Sequence, residues 1–139
     1  MNILFFLKPK STITILKEEF TLRQVVETME HSGFTALPII NEAGIYIGTL
    51  CEKDLLSYFK EIKEFNLKDL EKVSLKSIKR CRDNLPIRID EDMNNLIHMA
   101  KKENFVPVID DRYIFIGIIT RQDIIDYFFQ NYVKGNNNE

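Results

Sequence analysis

The segment Thr120-Arg121-Gln122-Asp123 combines groups that can bind an anion and a sugar. A threonine hydroxyl can donate a hydrogen bond to a phosphate oxygen, and a carboxylate can accept two hydrogen bonds from neighbouring ribose hydroxyls. Arg121 adds a permanently charged donor that can hold a phosphate through two hydrogen bonds. The segment follows an apolar run and opens a predicted helix, whose first N–H groups also favour anions.

The same segment has a simpler interpretation as a helix start. Thr-x-x-Asp is also a helix N-cap followed by an acidic third residue, and it stabilises a helix without any ligand. The two roles are compatible, because Thr120 can cap the helix while Asp123 lies towards a neighbouring cleft. From these residues alone, both interpretations stay open.

A near copy of this segment lies upstream and indicates an internal duplication. Gly48 recurs as Gly117 and Asp54 recurs as Asp123, and the two pairs have the same separation along the chain. Each copy also follows a proline within an apolar run, and the two prolines are separated by that same offset. One offset shared by three landmarks predicts two copies of a single structural unit.

Hydrophobic periodicity and capping signals predict the order strand–helix–strand–strand–helix in each unit. In the first unit these are a strand over 12–16, a helix over 22–32 capped by Thr21, strands over 34–40 and 45–50, and a helix from Glu52. In the second they are a strand over 86–89, a helix capped by Asp92, strands over 105–109 and 114–119, and a last helix. One unit of about 60 residues buries too little surface to be stable alone. We therefore predict an α+β fold in which the units pack sheet to sheet with pseudo-two-fold symmetry.

The predicted boundaries divide the chain into four segments. Residues 1–60 form unit 1, which includes an apolar N-terminal segment docked on the core, and residues 80–130 form unit 2. Residues 61–79 lack glycine and proline and are predicted to be a helical connector rather than a flexible linker. The Gly/Asn-rich residues 131–139 are predicted to be a flexible tail.

Composition excludes several classes of function. With 45% apolar and 29% charged residues, the chain reads as a globular protein, and its net charge of −2 gives no large positive field for nucleic acid. No apolar run is long enough for a membrane span. The two cysteines have no metal-ligand spacing and suit a reducing cytoplasm, so we expect no metal. No nucleophile, P-loop or paired-carboxylate motif appears, and we expect neither catalysis nor a cofactor.

These motifs resemble the CBS-domain (Bateman) family, whose marker is a glycine, two apolar residues, Ser or Thr, two variable residues and Asp. Unit 2 matches the marker in full, whereas unit 1 has Cys51 where the hydroxyl should be. The resemblance covers about residues 11–128 and implies a stand-alone, bacterial-type tandem regulatory protein. Family members commonly bind adenine nucleotides, so the implied ligands are AMP, ADP, ATP or cyclic di-AMP.

The resemblance also implies which residues bind the nucleotide. In similar modules, a pocket combines the aspartate of one unit with the strand entry of the other, where a side chain packs on the adenine ring. The implied site comprises Thr12, Thr14, Phe34, Thr35, Ala36, Thr120, Arg121 and Asp123. Phe34 could stack on the base, although a plain core strand would explain it too, and a β-branched strand start would explain Thr12 and Thr14 equally well.

A mirror pocket would follow from the duplication. It would combine Cys51, Asp54, Leu85, Asn104 and Phe105. We expect this second site to be weak, because Cys51 lacks the hydroxyl and unit 2 is two residues shorter between its first helix and its proline.

The sequence therefore predicts a regulatory module that senses an adenine nucleotide and signals its state to a partner protein. The resemblance implies a homodimer formed through helix faces, for which the candidates are Leu55, Tyr58, Phe59, Ile125, Phe128 and Phe129. The alternative is a ligand-free module that dimerises or binds another protein through the same faces.

Overall fold

The computed structural model describes residues 1–62 and 66–137. Its strands are β1 (Lys8–Pro9), β2 (Leu16–Lys17), β3 (Ala36–Ile40), β4 (Tyr46–Cys51), β5 (Ile87–Arg88), β6 (Phe105–Ile109) and β7 (Phe115–Thr120). Its α-helices are α1 (Leu22–Ser32), α2 (Glu52–Glu61), α3 (Leu67–Leu70), α4 (Met93–Ala100) and α5 (Arg121–Asn137). Short 3-10 turns cover Ile3–Phe6, Lys10–Thr12 and Leu75–Ser77.

The strands form two sheets of matching topology. One sheet has the order β2-β3-β4, and the other has the order β1-β7-β6-β5. In each unit the first strand pairs parallel to the second and the second pairs antiparallel to the third. The strand registers also match. Pro38 is opposite Thr49 in one sheet, and Pro107 is opposite Ile118, the equivalent of Thr49, in the other. The predicted α+β fold with two strand–helix–strand–strand–helix units is confirmed.

Equivalent residues of the two units meet at the pseudo-two-fold axis. Ile45 and Ile114, which occupy the same position in the two copies of the repeat, form an antiparallel bridge. Beside them lie Tyr46 and Phe115, a second equivalent pair, whose rings stack with centroids 6.2 Å apart and planes at 27°. Contacts between equivalent residues are what a two-fold axis requires, so the duplication read from the sequence corresponds to a symmetric interface.

Asn84, in the segment that leads into unit 2, ties the two units together. The Tyr46 hydroxyl donates to the Asn84 carbonyl oxygen at 2.8 Å, and the Asn84 side-chain amide donates to the Phe105 carbonyl oxygen at 3.0 Å. Burial raises the pKa of Tyr46 far above its usual range, which keeps the hydroxyl protonated as a donor. Buried polar groups satisfied in this way fix the arrangement of the units.

Each unit buries its own apolar core, and the predicted caps start the first helices. Thr21 and Gln24 form a capping box at α1, and the Asp92 carboxylate accepts from the Asn95 N–H at α4. The buried side chains of the two helices are Leu22, Val25 and Met29 in α1 and Leu96 and Ala100 in α4. The helix periodicity of the sequence is thus confirmed in both units.

The N-terminal segment docks on unit 2 rather than on unit 1, to which the sequence analysis assigned it. Ile3 and Phe6 are buried in the core of unit 2. Strand β1 pairs with β7, with Lys8 opposite Ile118. The segment therefore crosses the pseudo-two-fold axis and completes the sheet of the other unit.

Two further predictions need correction. The strand expected over 12–16 is limited to Leu16–Lys17, because Lys10–Thr12 forms a 3-10 turn in which the Thr12 hydroxyl donates to the Pro9 carbonyl at 2.7 Å. The expected tail is helical as far as Asn137, since adding residues to an existing helix is far easier than nucleating one. The remainder of the tail and residues 63–65 of the predicted connector lie outside the described residues.

The two motif glycines leave room for the segment that crosses from the other unit. A Cβ at Gly117 would lie 2.2 Å from the Lys8 carbonyl oxygen, and a Cβ at Gly48 would lie 2.4 Å from Asp83 Oδ1. Real Cβ atoms do not approach other heavy atoms this closely. Gly117 must therefore be glycine, because the overlap is with backbone, whereas at Gly48 the Asp83 and Arg80 side chains would have to move.

We expect Gly117→Ala to lower the free energy of unfolding by about 1–3 kcal/mol, because its Cβ would overlap a backbone atom of β1 that cannot rotate away. Gly135→Ala is the matched control, since no described atom lies within 4 Å of its added Cβ in helix α5. Alanine there should leave stability unchanged or raise it by up to about 1 kcal/mol. Urea unfolding measures both; wild-type stability in Gly117→Ala would contradict this packing of β1 against β7.

Candidate functional site

A cavity of about 540 Å³ lies between the two units. Unit 1 contributes Thr12, Ile13, Thr14, Phe34, Thr35, Ala36, Leu37 and Pro38 to its wall, and unit 2 contributes Asn104, Phe105, Ile118, Thr120, Arg121, Gln122 and Ile125. Lys8 of the N-terminal segment completes the lining. All the residues expected at a first site except Asp123 therefore line this one cavity.

The end of α1 places Phe34 at the cavity. Gly33 ends the helix in the left-handed conformation with φ 73°, which glycine adopts without steric cost. The Phe34 N–H then donates to Ser32 Oγ at 3.1 Å, and the Thr35 carbonyl accepts from the Glu52 N–H at 2.9 Å. The Phe34 side chain is 59% exposed, so it is not a core residue of β3 and its ring is available to a ligand.

The start of α5 positions the polar side of the cavity. The Asp123 N–H donates to Thr120 Oγ1 at 3.1 Å, which makes Thr120 the N-cap of the helix. The Arg121 N–H donates to the Asn104 carbonyl at 2.9 Å, and its guanidinium donates to Asn104 Oδ1. The capping interpretation of Thr120 is therefore correct, and Arg121 is a cation held in place on the cavity wall.

Asp123 is not among the lining residues but is paired with one of them, Lys8, which the sequence analysis did not select. Its Oδ2 is 3.4 Å from the ammonium nitrogen of Lys8, and both side chains are partly exposed. Lys8 belongs to a segment with no recognisable motif, and only the pairing of β1 with β7 brings it to the cavity. The sequence carries no local signal for this contact.

The charge of the lining has one sign. Lys8 and Arg121 are its charged residues, and none of the lining side chains in the described chain is an aspartate or a glutamate. Two cations, threonine hydroxyls and an exposed aromatic ring around one cavity suit a ligand with an anionic group and a flat apolar ring. The volume also falls within the range usual for small-molecule sites.

Within the part of the chain that the structure describes, the residues expected at a mirror pocket lie in different surroundings. Asn104 and Phe105 line the cavity already described, and Leu85 is 72% exposed. Cys51 occupies the position equivalent to Thr120. Glu52 occupies the position equivalent to Arg121, so a negative side chain replaces a positive one.

Asp54, the counterpart of Asp123, is a buried structural residue. It is 1% exposed, and its two carboxylate oxygens accept from the Cys51 N–H at 3.0 Å and the Cys81 N–H at 2.9 Å. The Cys51 thiol also donates to it at 3.3 Å. Burial alone would raise the pKa of Asp54, but the hydrogen bonds from the two backbone amides and the thiols outweigh it and hold the pKa below its usual value.

Two kinds of feature are absent from the described part of the chain. No group of three or more His, Cys, Asp or Glu side chains within residues 1–62 and 66–137 is arranged to hold a metal ion. Over the same residues, no helix combines the length and the apolar composition needed to cross a membrane.

The family model for the CBS domain matches this chain twice, over residues 8–61 and 75–130. The chain therefore belongs to the CBS-domain family, as its motifs suggested. A protein of Methanocaldococcus jannaschii is 24% identical in an alignment 115 residues long, which covers 77% of this chain and 40% of that relative. The matched region thus spans less than half the length of the archaeal relative.

Two solved structures show the same fold. CbpB in complex with c-di-AMP has a TM-score of 0.87 and 20% identity, covering 100% of this chain and 91% of that chain. CBSX2 of Arabidopsis thaliana, in its complex with AMP, has a TM-score of 0.72 and 20% identity, covering 94% of this chain and 98% of that chain. At these identities the likeness establishes a shared architecture of paired CBS units.

We expect Asp54→Asn to lower the free energy of unfolding at neutral pH by about 2–3 kcal/mol, because it removes the charged acceptor of buried N–H groups. The folded-state pKa is depressed, so the stability that Asp54 contributes is present above its unfolded pKa of about 4 and is lost as the pH falls through the folded pKa. The substitution should therefore also flatten the loss of stability in acid.

The matched control for this prediction is Asp123→Asn, at the equivalent position of the second unit. It breaks one partly exposed ion pair and should cost at most about 1 kcal/mol. Urea unfolding between pH 2.5 and pH 7 compares the two variants; equal losses would refute the structural role assigned to Asp54.

Proposed function

We propose that this protein binds an adenine nucleotide in the cavity between its CBS units and acts as a regulatory module. The observation that carries the proposal is the composition of the cavity, whose lining combines the cations Arg121 and Lys8 with the exposed ring of Phe34. A phosphate would bind to the cations, and the adenine ring would stack on Phe34. Thr120, the helix N-cap, is placed to donate its hydroxyl proton to a phosphate oxygen while its lone pair accepts from Asp123 N–H.

Asp123 has a separate role in this proposal. Its carboxylate is not in a capping box, because its partner is the Lys8 ammonium and not the backbone N–H of Thr120. It is therefore available to accept from ribose hydroxyls at the edge of the cavity, whereas the carboxylate of Asp54 is fully occupied. The proposed site accordingly consists of Thr12, Thr14, Phe34, Thr35, Ala36, Thr120, Arg121 and Asp123, and one mononucleotide per chain is expected.

The structural neighbours support this class of ligand. The similar CbpB structure is a complex with c-di-AMP, and the similar CBSX2 structure is a complex with AMP. Both ligands carry adenine, ribose and phosphate, which are the three groups that the cavity suits. We include AMP, ADP, ATP and cyclic di-AMP in the proposed class and propose that binding is reported to a partner protein without catalysis, in the cytoplasm.

The outer face of α5 supports self-association. Ile125, Phe128, Phe129 and Tyr132 follow one another at helical spacing and are 46–68% exposed. Leu55, which the sequence analysis placed on a dimer face, is instead buried in the core of unit 1, and Tyr58 and Phe59 are packed against that core. We propose a homodimer that covers the α5 stripe, which begins at the cavity because Ile125 is also part of its lining.

We expect Asp123→Ala to weaken nucleotide binding by about 10- to 100-fold, because it removes charge-assisted hydrogen bonds to the ribose. Thermal shift against AMP, ADP, ATP, cyclic di-AMP and GMP, followed by calorimetry, measures this. Ligand at about 100 times its dissociation constant should stabilise the wild type by about 2.7 kcal/mol, which is several degrees.

The variant's own stability is the control for this experiment. Without nucleotide Asp123→Ala should melt close to the wild type, since it loses a partly exposed ion pair. A variant that melts at a lower temperature yet keeps the full nucleotide-induced shift would contradict the proposed contact between Asp123 and the nucleotide. A wild type that no adenine nucleotide stabilises would refute nucleotide binding and favour the ligand-free interaction module.

We expect light scattering at micromolar concentration to give about twice the chain mass, because a contiguous stripe of exposed aromatic residues is unusual on a monomer. Phe129→Glu should shift the protein towards the monomer by placing a charge in the stripe. Gln130→Glu, at an exposed neighbouring position of α5, is the matched control and should remain dimeric. A wild type that is monomeric with and without nucleotide would refute the dimer.

A further inference from the structure

We propose that the ion pair between Lys8 and Asp123 makes the cavity selective for ligands that carry a phosphate over the corresponding nucleosides, an inference that rests on the nucleotide-binding function proposed above. Ribose hydroxyls and the Lys8 ammonium compete for the same carboxylate. A ligand with a phosphate supplies Lys8 with a new anionic partner, and a nucleoside does not. Lys8 is thus a specificity-determining residue.

The backbone of Lys8 is fixed while its side chain is free to exchange partners. Strand β1 holds Lys8 opposite Ile118, which also lines the cavity, and its carbonyl lies in the space left by Gly117. The ammonium is 3.4 Å from Asp123 Oδ2, and the two side chains are 47% and 34% exposed. Partly exposed pairs of this kind contribute little to stability, so replacing one partner by a ligand costs little.

The second cation of the cavity cannot exchange in the same way. The Arg121 guanidinium donates to Asn104 Oδ1, and its backbone N–H donates to the Asn104 carbonyl at 2.9 Å. Both contacts are with a neutral residue, so Arg121 attracts an anion without giving up an ionic partner. Of the charged lining residues that the structure describes, Lys8 is the one bound to a carboxylate that the ligand would also use.

The equivalent position in unit 1 shows that an exchangeable aspartate is not a requirement of the fold. Asp54 accepts from two backbone N–H groups and a thiol and is almost fully buried. No lysine or arginine forms a salt bridge with it among the described residues. The same motif position thus carries a fixed carboxylate in one unit and an exchangeable one in the other, and the exchangeable one lies beside the cavity.

The test compares adenosine with AMP and cyclic di-AMP as probes in calorimetry on the full chain. Wild type should bind at least one of the two phosphate-bearing ligands about tenfold or more tightly than adenosine. Lys8→Met should lower the affinity for that phosphate-bearing ligand by about tenfold and leave the affinity for adenosine unchanged or higher. The preference for the phosphate-bearing ligand should therefore be lost. Lys8→Arg, which keeps the charge, should retain most of the preference.

Lys10→Met is the matched control, because it removes the same charge from an exposed lysine that does not line the cavity. It should keep the wild-type preference, and both methionine variants should melt close to the wild type. A Lys8→Met variant that keeps the preference, or a Lys10→Met variant that loses it equally, would overturn the role of Lys8 while leaving nucleotide binding intact. A wild type that binds none of the three probes would overturn this inference and the proposed function together.

Discussion

The structure depends on two close approaches, that of the Lys8 backbone carbonyl to Gly117 and that of the Arg80 and Asp83 side chains to Gly48. The segment that precedes each unit crosses the pseudo-two-fold axis and packs on the motif glycine of the other unit. At Gly117 the crossing segment is β1, and at Gly48 it is the loop that carries Arg80 and Asp83. Because each unit is completed by residues that belong in sequence to the other, the two fold as one body and enclose a cavity between them.

The aspartates that end the two copies of the repeated motif, Asp54 and Asp123, have different surroundings. In unit 1 the aspartate is buried and hydrogen-bonded to Cys51 and Cys81, so it stabilises the structure. In unit 2 the equivalent carboxylate is partly exposed and pairs with Lys8 beside the cavity. A buried carboxylate with all its acceptors in use cannot serve a ligand, whereas one in a solvent-exposed ion pair can. The pseudo-symmetry of the fold therefore does not extend to the surroundings of the two aspartates.

The residues of the cavity were predicted through the resemblance to the CBS-domain family, and locally encoded structures place several of them on its wall. Gly33 ends α1 and directs Phe34 outwards, and Thr120 caps α5 and orients Arg121. These are short-range effects of a helix end and a helix start, which sequence patterns record well. The mirror pocket stays a prediction, and the residues named for it lie in different surroundings, since Asn104 and Phe105 line the first cavity and Asp54 is buried.

The sequence by itself determined the duplication, the order of elements, the helix caps and the class of fold, because periodicity and capping act over a few residues and the repeat fixes the register between units. The tertiary structure alone decided that the N-terminal segment joins the sheet of unit 2, that residues 12–15 do not extend β2, and that Lys8 reaches Asp123. Strand pairing and ion pairs between residues far apart in the chain are set by packing, and no local pattern encodes them.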